Sequence, residues 1–269
     1  MHLRMLYGFK EKYAVQSFLG KGLHGRVLQG HRRSDRLPVA VKVIVDSKYR
    51  ICLPNEMKSV PWEVGIMAYL CKPPTCPSII QLLDWYEMEK LLILVLEMPA
   101  PCLDLEKLIK LNGILTEPTA KHLFRQLAQA LHHCESRGVF HRDVKPDNIL
   151  VQFGTETLKL IDFGCSILHK GNSYIKFDGM LPFAPPELIS EKRYQASSYT
   201  VWCYGCTLYY CLSRRLAPGV SGDNLNGKLH LATRFSKELE DFLCQCLSLS
   251  PEKRPTLKEI LRHPWLLRS

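Results

Sequence analysis

HRDVKPDN, residues 141–148, is the stretch on which the reading of the chain turns. It sets three chemically distinct side chains on one short loop. Asp143 is a carboxylate able to accept a hydroxyl proton, Lys145 a cation suited to the charge of a phosphoryl group, and Asn148 an amide oxygen suited to a metal ion. Any one of these is common on a solvated loop. Together, after a long helical segment and ahead of LIDFG, where Asp162 is a second candidate metal ligand, they form a specific pattern.

Upstream, LGKGLHGRV, residues 19–27, has glycines at Gly20, Gly22 and Gly25 followed by Val27. Glycines let a hairpin backbone come close to phosphates, although a glycine-rich turn between strands is often only a turn. A strand and not a helix follows, which argues against a dinucleotide-binding fingerprint. Lys42 in VAVK lies on the next strand, where an ammonium can pair with phosphate oxygens, and Glu63 in the following helix can hold that lysine in place. Read blandly, Lys42 is a surface charge and Glu63 a solvated helix carboxylate. Downstream, APPE ends at Glu187 and RPT contains Arg254, a pair suited to a buried ion pair. The ordered succession of all these elements makes a chance origin for the pattern untenable.

The pattern divides the chain in two. YAVQSFLG, GRVLQGHR and LPVAVKVIV read as strands, a helix follows from Pro61, and IIQLLDWYEM and KLLILVLEM read as strands again. ILVLEMPAP, residues 93–101, then brings Pro99 and Pro101, which remove backbone donors where the chain turns. Beyond it, LDLEKLIKLNG and EPTAKHLFRQLAQALHHCESRG have apolar positions recurring at three and four, short strands lie around ILVQ and LKLID, and helices return from Tyr199 onward. A β-rich front and an α-rich back predict an α+β, two-lobed fold: an N-terminal extension over 1–12, a small lobe over 13–96, a connector over 97–101 and a larger helical lobe over 102–269. Ligands often bind in the crevice between lobes.

With 269 residues, 46% of them hydrophobic, the chain can bury a core of this size. Its longest aliphatic run, Leu91 to Leu96, is far short of the roughly 18 residues of a membrane span, and no signal-peptide pattern is seen. We expect a cytoplasmic or nuclear protein without membrane attachment. The net charge of +10 raises the question of nucleic acid, but the basic residues are dispersed and no nucleic-acid motif is present, so a solvated basic surface is the better reading. Eleven cysteines, scattered through apolar segments, are expected to be reduced thiols. Cys203 and Cys206 form a C-x-x-C inside an apolar stretch of helical length and read as core packing, as does Cys165.

These motifs resemble those of eukaryotic protein kinases from about Tyr13 to Trp265, and Lys145 resembles the serine/threonine branch. The spacing LPN…VP-x-E-V, IIQLLDWYE, E-x-P-x-P, LKLIDFG, FDG and VW-x-x-G resemble the PIM family in particular. The resemblance implies ATP and Mg2+ as cofactors and Ser/Thr hydroxyls of proteins as acceptors, in an expected monomer. Asp143, Lys145, Lys42 and Glu63 then take catalytic roles, and Asn148 and Asp162 hold the metal. The nucleotide is expected against Leu19, Gly20, Lys21, Gly22, Leu23, His24, Gly25, Arg26, Val27, Ala40, Leu96, Glu97, Leu150 and Ile161, with Leu96 as gatekeeper. Pro99 then stands where most kinases offer adenine an N–H, so the carbonyl of Glu97 and the apolar walls hold the base.

The sequence departs from the family pattern at several places. Met180 replaces a threonine that in the family bridges the catalytic aspartate and lysine, a change that bears on efficiency and acceptor choice. Thr200 replaces an aspartate that supports the catalytic loop, as in the PIM family. Asp104 and Asp147 keep negative charge for a basic substrate, whereas Lys107, Pro146 and Arg215 stand where acids are usual, which predicts a basic preference that weakens away from the acceptor. His24 reads as an exposed loop residue, and Ser173 and Tyr174 lie in the activation segment. A pseudokinase acting as a binding scaffold is the alternative reading; Lys42, Asp143 and Asp162 argue against it.

Overall fold

A computed structural model describes residues 2–22, 25–45, 47, 49–52, 58–169, 183–217 and 235–267, with only the backbone of 2–6. Leu23, His24, Ser173, Tyr174 and Met180, and the LPN and FDG stretches, lie outside the described residues. The chain divides into two compact units, Met1–Thr75 with Ile80–Pro101, and Cys76–Ile79 with Cys102–Ser269.

In the first unit, α1 (His2–Lys12) leads into β1 (Tyr13–Gly22), β2 (Gly25–Arg32) and β3 (Pro38–Val45). The short β4 (Arg50–Ile51) and β5 (Val60–Pro61) pair with each other before α2 (Trp62–Leu70), and β6 (Leu82–Met88) and β7 (Leu91–Glu97) follow. The antiparallel sheet runs β1-β2-β3-β7-β6. Its register sets Val27 and Leu94 on either side of Lys42, and Leu96 opposite Ala40. Cross-strand partners share a face and side chains alternate along a strand, so Val27, Ala40, Lys42 and Leu96 point one way. Val39, Val41, Ile93 and Val95 point the other way and form a core with Phe9 and Tyr13. Gly25 is needed in β2, because a Cβ there would lie 2.4 Å from the Val43 carbonyl oxygen.

The segment read as an extension is helical and packs into this unit through Phe9, which is 6% exposed. Phe9 stacks on Tyr13 at 5.7 Å and meets the edge of Tyr86 at 5.4 Å. The Asp84 carboxylate accepts from Lys12 Nζ at 2.6 Å, Tyr86 Oη at 3.0 Å and Tyr13 Oη at 3.3 Å, closing the end of the helix onto β6. Among the described side chains of α1, from Tyr7 to Lys12, Phe9 is the buried one, which gives no periodicity to read from sequence.

The second unit holds β8 (Cys102–Asp104), α3 (Leu105–Asn112), α4 (Glu117–Ser136), β9 (Val139–Phe140), β10 (Ile149–Gln152), β11 (Thr157–Leu160) and β12 (Ile167–Leu168). Then come α5 (Pro186–Glu191), α6 (Ala196–Ser213), α7 (Lys237–Cys246), α8 (Leu257–Ile260) and α9 (Pro264–Leu267). The helix expected from Leu103 begins at Leu105, because the Asp104 side chain accepts from Lys107 N–H and caps it. Thr116 caps α4 in the same way. The helix expected from Tyr199 begins earlier, at Ala196, where no side-chain cap marks the start. α6 is buried on nearly every side, with Trp202, Tyr204 and Tyr209 among the largest enclosed side chains. Cys203 and Cys206 belong to this buried helix, and burial pushes the Cys203 thiol up to about 12. Arg254 donates to both carboxylate oxygens of Glu187, at 2.7 and 2.8 Å, and stacks over the Trp202 ring at 4.7 Å.

Candidate active site

In the first unit, Lys42 Nζ donates to both oxygens of Glu63, at 2.6 and 2.9 Å, and both side chains are 6% exposed. Two charges removed from water to this degree need a close, hydrogen-bonded geometry, and it is present. α2 delivers Glu63 from its first turn, with Pro61 at the N-cap. The β1–β2 hairpin pairs Gly20 with Val27, Lys21 with Arg26 and Gly22 with Gly25. Val27, Ala40 and Leu96 lie on the face of the sheet that carries Lys42, and Leu19, on β1, is 40% exposed. Glu97 closes β7: its N–H donates to the Gln81 carbonyl at 3.0 Å, and its carboxylate accepts from Gln81 N–H at 2.8 Å.

In the second unit the loop after β9 brings Asp143, Lys145 and Asn148 together. The Asp143 carboxylate oxygen Oδ2 accepts from Lys145 Nζ at 2.8 Å and from Asn148 Nδ2 at 2.8 Å. Asn148 Nδ2 also donates to the Asp143 carbonyl at 2.8 Å. His141 is enclosed, its Nε2 bonded to the Ile161 carbonyl at 2.9 Å and its Nδ1 accepting from Asp143 N–H at 3.2 Å. A carbonyl can only accept, so the proton sits on Nε2. Burial pushes the His141 pKa below the usual imidazole range and keeps the ring neutral. Phe163, fully buried, meets that ring edge-on at 4.8 Å. Asp162 precedes it in a left-handed conformation, φ +61°, with Oδ1 accepting from Gly164 N–H at 3.3 Å. Leu150, on β10, and Ile161, just after β11, are half-buried.

Asn148 uses its nitrogen on Asp143, which leaves an amide oxygen for a cation, and Asp162 adds a carboxylate. Hard oxygen donors, few in number, suit Mg2+, which is usually held by one or two carboxylates together with substrate phosphates. Among the described residues no group of three His, Cys, Asp or Glu side chains forms an all-protein cage. The residues present therefore fit magnesium brought in with a nucleotide.

Further contacts around the loop were not read from sequence. Thr200 turns its hydroxyl back into its own helix, donating to the Ala196 carbonyl at 2.7 Å. Tyr199 Oη instead reaches the Arg142 carbonyl at 3.0 Å, across 57 residues of sequence. Around Asp147 the carboxylates gather: partial burial first, then the nearby Glu106 and Asp104, raise its pKa. Lys107 pairs with Asp104 at 2.9 Å and Lys110 with Glu106 at 3.0 Å, so part of that negative charge is already answered.

The protein kinase domain family matches residues 13–266. The chain is 36% identical to serine/threonine-protein kinase pim-2 of Danio rerio, over 97% of this chain and 86% of that protein. It is 34% identical to serine/threonine-protein kinase prk-2 of Caenorhabditis elegans, over 96% of this chain and 59% of that protein. A third relative, the probable serine/threonine-protein kinase MARK-A of Dictyostelium discoideum, is 33% identical over 94% of this chain and 24% of its own length.

Proposed function

Because the chain belongs to the protein kinase domain family and is an ATP-dependent serine/threonine kinase of the PIM-like type, we propose that it transfers the γ-phosphoryl group of ATP to Ser and Thr hydroxyls of protein substrates. The observation that carries this reading is the Asp143 carboxylate, 6% exposed and held by both Lys145 and Asn148. A buried carboxylate with fixed partners can orient an acceptor hydroxyl and take its proton. Lys145 and Lys42 offset phosphate charge, and Glu63 keeps Lys42 extended for that purpose. Asn148 and Asp162 would hold magnesium, whose positive charge, when bound, offsets the charge that develops in phosphoryl transfer. Gly20, Lys21, Gly22, Gly25 and Arg26 are assigned to the phosphates, and Leu19, Val27, Ala40, Leu96, Glu97, Leu150 and Ile161 to the nucleoside. Leu23 and His24 complete the loop by sequence. Pro99 lacks a donor for adenine.

For the acceptor peptide we assign a modest basic preference. Asp104, Glu106 and Asp147 supply the negative field, and their pairing with Lys107 and Lys110 weakens it. Of partners, only protein substrates follow from the family. Among the described residues no helix is long and apolar enough to cross a membrane. The pseudokinase alternative predicts binding without transfer. Labelled ATP and a degenerate peptide library with Ser, Thr or Tyr acceptors separate the two. Transfer to Ser and Thr, strongest with basic residues close to the acceptor, is the expected outcome; nucleotide binding with no transfer to any acceptor would favour the scaffold.

A further inference from the structure

Resting on that kinase reading, we infer that Tyr199, seconded by Thr207, is a positioning residue that holds the catalytic loop in register from α6. The carbonyls of three successive residues, Arg142, Asp143 and Val144, each accept from a side chain: Tyr199 Oη at 3.0 Å, Asn148 Nδ2 at 2.8 Å and Thr207 Oγ1 at 3.2 Å. Thr207 also faces its own helix, at 2.7 Å from the Cys203 carbonyl, so its proton is shared, and the Tyr199 contact to the loop is the shorter of the two. The peptide group joining Arg142 to Asp143 is gripped at both ends. Tyr199 holds its carbonyl, and His141 Nδ1 accepts its N–H at 3.2 Å.

That grip matters because Arg142 sits at φ +66°, a left-handed conformation that a residue with a Cβ adopts only when its surroundings enforce it. Relaxation of Arg142 would turn the next peptide plane and move the Asp143 carboxylate. Tyr199, Cys203 and Thr207 form one stripe on α6, spaced four residues apart, and are 2%, 1% and 0% exposed. Cys203 Sγ, between the two hydroxyls, reaches the Phe183 carbonyl at 3.2 Å. The helix that carries the stripe is itself anchored, with Arg254 over Trp202 at 4.7 Å and no room for a Cβ at Gly205, 2.9 Å from Cys246 Cβ. Position 200 cannot serve, because the Thr200 hydroxyl is spent on Ala196. Burial raises the Tyr199 phenol well above its ordinary range, so it remains a donor throughout the working pH.

A strut of this kind touches neither nucleotide nor peptide. Its loss lets Asp143 sample unproductive positions, which lowers kcat and leaves KM nearly unchanged. The test compares Tyr199→Phe with Tyr204→Phe. Tyr204 lies on the same helix, is equally buried and donates to the Phe124 carbonyl at 2.9 Å, away from the loop. Both variants lose a buried phenol-to-carbonyl hydrogen bond, and a fall in Tm is expected of each. Tyr199→Phe is expected to lower kcat for peptide phosphorylation about five- to twentyfold with KM for ATP and peptide within about twofold, and Tyr204→Phe to leave kcat within about twofold. Thr207→Val is expected to show the same split, two- to fivefold, on the order of a shared hydrogen bond, and it decides the matter if Tyr199→Phe fails to fold. Equal kcat for the Tyr199 and Tyr204 variants, or a loss that appears in KM for ATP, overturns the positioning role while leaving the kinase reading intact. An unmodified chain that transfers no more phosphate than Asp143→Asn overturns the kinase reading, and the positioning role with it.

Discussion

Glu63 gives both carboxylate oxygens to one ammonium, at 2.6 and 2.9 Å, so a change of a single atom there tests what the pair does. Glu63→Gln keeps the shape and removes the charge. It is expected to lower kcat/KM for ATP by at least about tenfold, because an unheld Lys42 no longer meets the phosphates in a fixed position. Steady-state kinetics at varied ATP checks it, and unchanged kinetics in a folded variant would make Lys42–Glu63 a structural pair only. His141 supplies a pH dependence. Its folded pKa is depressed by burial below the ordinary value of 6.5, so the unfolded chain binds the extra proton first. Its contribution to stability is therefore complete above 6.5 and is lost as pH falls through the lower, folded-state value. Tm measured from about pH 7.5 down to about pH 5 should decline, and His141→Asn, though less stable, should decline less steeply.

Among the elements, α5 and α6 are joined to the α8 side of the unit by the Glu187–Arg254 pair. The arginine side chain is fully enclosed, and its neighbours are arranged for charge. Arg254→Met leaves the Glu187 carboxylate buried and unpaired, and is expected to destabilise the protein by about 3–5 kcal/mol. Adding Glu187→Leu to that variant should recover a large part of the loss in denaturant unfolding, since a buried pair replaced on both sides costs far less than one broken. α1 offers a parallel case in the other unit. Phe9→Ala removes the ring that sits between Tyr13 and Tyr86 and is expected to cost about 3 kcal/mol by the same measurement. A neutral result would mean that α1 rests on the sheet without stabilising it.

Across the whole molecule, what could be read from sequence was chemistry at short spacing. The HRDVKPDN loop, the LIDFG stretch and the glycine hairpin are legible because their functional groups must lie within a few residues of each other on one loop. Strands and long helices were legible from period, as in α4, whose apolar positions recur at three and four. α1 and α5 were not. Among the described side chains of α1 the buried one is Phe9, and α5 is six residues long with no side-chain cap. The bracing of the catalytic loop was invisible for a different reason. Thr200 could be seen as a missing aspartate, but its replacement is a phenol one residue earlier whose partner lies 57 residues away, and no local pattern encodes such a pairing.

Phosphate transfer by this route requires Asp143 to act on the acceptor hydroxyl, and Asp143→Asn removes the carboxylate while keeping its shape. Initial rate of phosphate transfer to a Ser/Thr peptide and equilibrium affinity for ATP are measured on the same preparation. Transfer is expected to fall by about 10² or more with ATP affinity essentially unchanged; transfer within about threefold of the unmodified protein would mean that Asp143 does not act on the hydroxyl.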